Sequence, residues 1–217
     1  MDTRSELQRA YDRVAGEYVR RIFNELAGKP LDRALLDQFA LRIRDLGPVC
    51  DVGCGPGHVA RYLHERGVRI TGIDLSQEMV EQARRLNPGL VFHQGDMRRL
   101  DVADGAWAGI VAFYSLIHVA REEIVAALRE LRRTLRPGGV LLVAFHVGTE
   151  TIHRDEWWGH EVSIDFLFFT VEEMRTYLAV AGFEVEDVVE RDPYPEVEHP
   201  SRRAYNLALA PGAGDAV

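Results

Sequence analysis

The stretch Val49-Cys50-Asp51-Val52-Gly53-Cys54-Gly55-Pro56-Gly57-His58 decides how the rest of this chain is read. A short apolar strand, Pro48 to Asp51, runs into three glycines at alternate positions, and apolar residues at helical spacing resume at His58. In a strand–turn–helix unit of this kind, glycine lets the backbone bend sharply and approach a ligand closely. The spacing separates the ligands. A dinucleotide turn reads Gly-x-Gly-x-x-Gly, so that a pyrophosphate rests on the helix N-terminus. Here the turn is Gly-x-Gly-x-Gly, and His58 holds the third glycine's place. Asp51 stands two residues before the first glycine, where a carboxylate repels pyrophosphate and suits an ammonium group. The turn therefore favours an amino-acid-bearing nucleoside over NAD.

Outward from the turn, helix and strand signals alternate. Helical spacing covers Ser5 to Leu26 and Leu31 to Leu46, broken by Gly28-Lys29-Pro30. After the turn come a helix from His58 to Arg66, a strand from Val68 to Ile73, and a helix capped by Ser76 that ends near Leu86. Strands follow at Leu90 to His93 and Trp107 to Tyr114, then a helix from Arg121 to Leu135 stopped by Arg136-Pro137-Gly138-Gly139. Val140 to Phe145 is apolar throughout, as a strand covered on both faces should be. Thr170 and Glu173 form a capping box for a helix ending at Gly182; Phe183 to Val189 and Ala204 to Ala210 close the series, and the tail from Pro211 frays. Such alternation predicts an α/β fold, doubly wound, with a mostly parallel sheet and helices on both faces. Its chemistry belongs in the loops after the strands, at the switch in strand order.

Two acidic strand ends accompany the glycine turn. Asp74 ends the second strand, 17 residues after Gly57, and a carboxylate there can accept both hydroxyls of a ribose. Asp96, in His93-Gln94-Gly95-Asp96-Met97, ends the third, where it can accept from the exocyclic amine of an adenine while Met97 lies on the base. Taken singly, each is as readily a helix cap or a solvated charge; in this order at successive strand ends they describe one ligand laid across a crevice.

With Leu135-Arg136-Pro137-Gly138-Gly139, these segments resemble the class I S-adenosylmethionine-dependent methyltransferase family over roughly Tyr11 to Ala210. The resemblance implies a Rossmann-like, seven-stranded sheet whose last strand runs antiparallel, and S-adenosylmethionine as cofactor with no metal. It implies that the turn, with Asp51, Gly53, Cys54, Gly55 and Gly57, underlies the methionine moiety, that Asp74 holds the ribose, and that Gly95, Asp96 and Met97 hold the adenine. Leu75, Met79, Tyr114 and Ser115 are placed against the cofactor by the same likeness. Tyr11-Asp12-Arg13-Val14-Ala15-Gly16-Glu17-Tyr18 is similar to the N-terminal helix that small-molecule members fold over the cofactor; Tyr11 and Tyr18 close the site or are core residues of an amphipathic helix. Residues 1–47 would then form part of the cover, 48–210 the methyltransferase domain, and 146–169 a lid over the substrate.

An activated methyl group mainly needs its acceptor held in line with water excluded. His118, in Tyr114-Ser115-Leu116-Ile117-His118, is the first candidate base, or else pins the loop or caps the next helix; His146 after the fifth strand is the second. Trp157 and Trp158 cover a pocket, or pack against the sheet or a second copy of the chain. Arg203 holds an anionic substrate group or pairs with one of the many acids.

Composition narrows the partners. The 217 residues suit one domain, and 47% hydrophobic with 28% charged residues is ordinary for a globular chain. A formal charge of -8 disfavours nucleic acid. Cys50 and Cys54 lack zinc-ligand neighbours and read as buried, reduced thiols. No basic-then-apolar leader and no apolar run of 18 residues appears, so the expectation is a cytoplasmic monomer or homodimer, with no membrane contact, acting on a small molecule at O or N. An NAD-dependent oxidoreductase is opposed by His58 and by the lack of a Tyr-x-x-x-Lys pair; a non-catalytic cofactor-binding subunit keeps the same motifs, and a protein-methylating enzyme fits a short lid less well. No Asn-Pro-Pro-Tyr or Asp-Pro-Pro-Tyr occurs, no aspartate ends the fourth strand, and no cysteine follows it, which disfavours base, catechol-type and cysteine-based RNA methylation.

Overall fold

The fold is that of a computed structural model describing residues 3–212. Its elements in chain order are α1 (Thr3–Ile22), α2 (Pro30–Ile43), β1 (Val49–Val52), α3 (His58–His64), β2 (Ile70–Asp74), α4 (Gln77–Leu86), β3 (Val91–Gln94), β4 (Trp107–Phe113), α5 (Arg121–Thr134), β5 (Leu135–His146), β6 (Thr151–Trp157), β7 (His160–Leu167), α6 (Val171–Val180), β8 (Glu184–Arg191) and β9 (Arg203–Ala210). Seven strands form one sheet in the order β3-β2-β1-β4-β5-β9-β8. β9 alone runs against its neighbours β5 and β8. The order reverses between β1 and β4, so the loops leaving their C-terminal ends border one crevice.

The two faces are filled from opposite halves of the chain. Leu36, Phe39 and Ile43 of α2 pack with Val59 and Leu63 of α3 and Val80 of α4 over one face. Ile124, Leu128 and Leu131 of α5, with Met174 and Leu178 of α6, cover the other. Each of these side chains is almost completely buried, which contributes about 1.5–3 kcal/mol apiece. α2 thus belongs to the sheet's flank, not to a cover over the site, because its apolar face meets Val49 and Val111 of the central strands.

Local signals end the helices where chemistry requires. Ser76 Oγ accepts from the Met79 amide at 3.1 Å and caps α4. Asn87 closes it, donating to the Ala83 carbonyl at 2.9 Å and the Pro56 carbonyl at 3.1 Å, which ties the helix end to the glycine turn. Thr170 and Glu173 make the expected capping box. Two boundaries differ from the sequence pattern. α1 stops at Ile22 and a 3-10 turn, Glu25–Gly28, carries the chain to Pro30 at the first position of α2. α5 passes directly into β5, because Leu135 already pairs with Trp107 across a bulge.

The stretch after the fifth strand is neither loop nor edge strand of the main sheet. β6 and β7 pair antiparallel as a separate hairpin whose two-residue turn, Trp158 and Gly159, has φ of 55° and 83°. Its inner face, Val162 and Ile164, meets Ala10 and Val14 of α1 in a small core of its own. α1 carries Leu7, Ala10, Tyr11, Val14 and Tyr18 on one helical stripe, and that stripe forms the joint. The tail is described only to Gly212, with the Pro211 carbonyl accepting from Arg132; residues 213–217 lie outside the described residues.

Candidate active site

The crevice opens into a cavity of about 660 Å³, floored by the strand ends and roofed by α1 and the hairpin. Gly53, Gly55 and Gly57 all have φ between 52° and 79°. At Gly53 the constraint is absolute: a Cβ would stand 2.3 Å from the Cβ of Ser115. The Gly53 amide donates to the Ile73 carbonyl at 2.7 Å, so the turn leans on β2. Asp74 completes it, accepting from the Gly55 amide at 2.7 Å through Oδ2 and from the Ser76 amide at 2.9 Å through Oδ1. Burial pushes its carboxyl up to about 6 against those hydrogen bonds.

Beyond Asp74, the floor continues through Asp96, whose carboxylate meets Arg4 of α1 at 3.0 Å and Arg98 at 3.1 Å. The roof is anchored at the same edge. Asp12 of α1 accepts from Ser76 Oγ at 2.5 Å and from the Glu78 amide at 3.2 Å. Above the centre, Tyr11 and Tyr18 pack edge-on against Trp157, and His118 lies edge-on between Tyr11 and Phe166.

His118 sits at the cavity wall with both ring nitrogens engaged. Nδ1 is 2.8 Å from the Asp165 carbonyl oxygen, which can only accept, so the proton is on Nδ1. Nε2 therefore accepts from the Tyr11 hydroxyl at 2.6 Å. Burial lowers the His118 pKa to about 4, a drop that its bond to Asp165 only partly offsets. The ring is neutral at physiological pH.

Residues 49–139 match the model of a family described as a methyltransferase domain. The chain is 34% identical over 136 residues to malonyl-[acyl-carrier protein] O-methyltransferase of Enterobacter lignolyticus, a match covering 61% of this chain and 50% of that protein. It is 33% identical over 136 residues to dTDP-3-amino-3,6-dideoxy-alpha-D-glucopyranose N,N-dimethyltransferase of Streptomyces fradiae, covering 60% and 49%. The chain spans about half the length of the curated relatives it matches. The solved 1,6-didemethyltoxoflavin-N1-methyltransferase of Burkholderia thailandensis superposes with a TM-score of 0.73 at 20% identity, over 96% of this chain and 88% of that one, and so shares the fold. Residues 49–139 are thus a methyltransferase domain, and the chain around them shares the fold of a solved methyltransferase.

Features of the crevice fit S-adenosylmethionine, the cofactor that the resemblance implies. Ser115 Oγ and Asp51 Oδ2 are buried without a hydrogen-bond partner, one facing the glycine turn and one beneath it. Burial pushes the Asp51 carboxyl up to about 8, with Asp74 adding to the rise and only the Ala60 backbone opposing it. Two unsatisfied groups at a turn with no room for a side chain suit a ligand that brings its own donors. Tyr11, Tyr18, Gly53, Cys54, Gly55, Asp74, Leu75, Gly95, Asp96, Met97, Tyr114, Ser115 and His118 all line the cavity.

Other sequence candidates lie elsewhere. Met79 is 1% exposed and packed in the interior, because the α4 cap turns it inward. Gly57 does not touch the cavity; it makes room for Phe92, whose ring a Cβ would meet at 2.7 Å. Trp157 braces the roof, and Trp158 stacks on it at 4.4 Å with Arg21 over its ring, so the tryptophans pack on α1 and neither lines the cavity. His146 stacks on Phe168 and bonds Ser201 Oγ at 2.9 Å; burial first, then Arg203, lowers its pKa to about 3. Arg203 is 2% exposed and paired with Glu198 at 3.0 Å, so it is not available to a substrate. Cys50 and Cys54 are free, buried thiols raised by burial.

Behind Tyr114 stands a buried polar cluster that the motifs do not reveal. Lys29, the chain's one lysine, reaches Glu25 at 2.7 Å and Glu198 at 3.4 Å and lies over the Tyr114 ring. Arg191 joins Glu198 and, at 2.8 Å, Asp32. Tyr205 donates to Asp32 at 2.9 Å and meets the Tyr114 hydroxyl at 3.0 Å. Tyr114 itself has φ of 52°, and this cluster holds it there, at the end of β4. A lone lysine in an arginine-rich chain, next to Pro30, was the available signal.

Proposed function

We propose that the protein transfers a methyl group from S-adenosylmethionine to a nitrogen or oxygen atom of a small molecule. The observation that carries this reading is the one cavity that brings the cofactor crevice and the Tyr11–His118 pair under the same roof. When bound, S-adenosylmethionine supplies a methyl group on a sulfonium, and that carbon–sulfur bond breaks with both electrons going to sulfur as the acceptor's lone pair forms the new bond.

The chain's own residues divide the work. Asp74 would accept from the ribose hydroxyls, and Asp96 with Met97 would hold the base. For the base to reach Asp96, Arg4 must yield its place, which couples α1 to cofactor entry. The glycine turn would face the amino-acid end, with Asp51 buried next to it and outside the cavity lining. α1 and the hairpin exclude water, which strengthens every polar contact beneath them. Tyr11 is oriented by His118 and faces the acceptor. Because the His118 pKa is about 4, its part is to fix the Tyr11 hydroxyl; it is a poor base at neutral pH.

Calorimetric titration of wild type and Asp74→Ala with S-adenosylmethionine, S-adenosylhomocysteine and NAD tests the cofactor half. Micromolar binding of the first two, lost in the variant, is expected. Binding of NAD alone, or of none of the three, overturns it.

A further inference from the structure

Beside the crevice residues, the cavity is lined by Glu6 and Tyr11 of α1, His118 and Glu122 after β4, and Ser163 and Asp165 of β7. We propose that the acceptor presents an amine, so that the reaction is an N-methylation; this rests on the methyl-transfer reading above. Two independent observations lead there.

The first is hydrogen-bond direction. The Asp165 carbonyl fixes the proton on His118 Nδ1, and His118 Nε2 in turn takes the Tyr11 proton. The Tyr11 oxygen is left with only lone pairs to offer the cavity, so the nucleophilic group must bring a donor, N–H or O–H. A carboxylate has none.

The second is charge. Arg4, Arg98 and Arg121 line the cavity, and all three are committed: Arg4 and Arg98 to Asp96, Arg98 also to Glu123 at 2.8 Å, and Arg121 to Glu173 at 2.9 Å. Of the six carboxylates that line the cavity, Asp74 and Asp96 are given to the cofactor in the reading above and Glu123 is paired, while Glu6 and Glu122 make no ion pair among the described residues. An anionic acceptor would have to break an existing ion pair. An ammonium is drawn in.

Between the two donors, N–H and O–H, the proton balance decides. An alcohol needs its proton removed as it attacks, and His118 has no free lone pair to take it: Nδ1 donates to the Asp165 carbonyl and Nε2 accepts from Tyr11. An amine sheds a proton to solvent before attack and reacts as the neutral base. Its lone pair forms the N–C bond, and the extra proton that the product nitrogen then carries leaves to water at the cavity mouth. Tyr11 holds the remaining N–H throughout and gains or loses no proton.

Transfer of labelled methyl from S-adenosylmethionine to matched acceptors tests this: benzylamine, benzyl alcohol and benzoate, and the cyclohexyl amine, alcohol and carboxylate. S-adenosylhomocysteine binding is measured first, and its absence would bring down the methyl-transfer reading itself. With binding present, label at least 10-fold higher in the amines is expected. The double variant Glu6→Gln, Glu122→Gln should raise KM for the amines about 10-fold at unchanged kcat and unchanged S-adenosylhomocysteine affinity. Labelling of the alcohols or carboxylates at or above the amines, or of no amine, overturns the inference, as does a double variant with unaltered KM.

Discussion

Asp51→Asn should grow more stable relative to wild type as the pH rises, and should bind S-adenosylhomocysteine more weakly. Asp51 is 1% exposed and its carboxyl is pushed up to about 8 by burial, against 3.8 for the unfolded chain. With the folded value the higher, the native state holds the extra proton in between. The group's contribution to stability is therefore full below pH 3.8 and is lost as the pH rises through 8. At about 1.4 kcal/mol per unit, the loss from pH 6 to 8 comes to about 2 kcal/mol, or roughly 4–8 °C in Tm for a chain of this size. His118 and His146, lowered to about 4 and about 3, act in the opposite sense. They lose stability as the pH falls below the ordinary histidine range, and would mask the Asp51 slope in wild type alone. They are common to both proteins and cancel in the difference in Tm between variant and wild type, which reads Asp51 together with its repulsion from Asp74. Thermal unfolding of both at pH 6, 7 and 8 reads it. If the ligand's ammonium pairs with the carboxylate, binding at pH 7 also releases close to one proton from wild type and none from Asp51→Asn. Calorimetry in buffers of different ionisation enthalpy counts it, and the affinity should fall about 10–100-fold with the charge-assisted bond. A Tm difference constant across pH would refute the buried neutral carboxyl; no proton release would refute the ammonium pairing.

Three further outcomes follow from the geometry. Gly53→Ala puts a methyl against Ser115 at a positive φ, so it should cost about 1–3 kcal/mol in denaturant unfolding and abolish S-adenosylhomocysteine binding; Ser115→Gly in the same chain should restore part of both, and no restoration would mean the overlap is not the cause. Tyr11→Phe and His118→Gln should each lower kcat/KM with little change in cofactor affinity, and the wild-type pH–rate profile should show no inflection between pH 6 and 8 that His118→Gln removes, since His118 titrates near 4. Glu198→Ala leaves Lys29, Arg191 and Arg203 with one buried partner fewer, and should cost about 3–5 kcal/mol by urea unfolding; a loss below about 1 kcal/mol would mean that solvent reaches the cluster.

What was legible in the sequence is what is written locally. The glycine turn, Asp74 and Asp96 each follow their own strand within a few residues, so their order along the chain is already their order along the crevice. The caps at Ser76 and Thr170 are bonds spanning three residues, and both form. Even the hairpin had a local sign: Val162, Ile164 and Phe166 alternate with polar residues, which is a half-buried strand, and Gly159 sits where a two-residue turn needs positive φ. It was obscured by the aromatic weight of Trp157 and Trp158, which draws attention to a pocket although the rings pack on α1.

The rest depends on contacts between distant parts of the chain, where a side chain's type does not reveal its partner. Arg203 carried the same charge whether it faced a substrate or Glu198, and only the path of the 192–202 segment back over Gly28 decides for Glu198. His118 is the sharper case. Its position after β4 marks it for the cavity, but its chemistry is set by Tyr11, 107 residues earlier, and by a carbonyl 47 residues later. Those two bonds convert a candidate base into a neutral acceptor that orients a tyrosine. The cofactor half of this site is thus encoded strand by strand. The acceptor half exists only once α1 and the hairpin have closed on each other, and substitutions in that shared core, such as at Val14 or Ile164, should alter acceptor binding before they alter cofactor affinity.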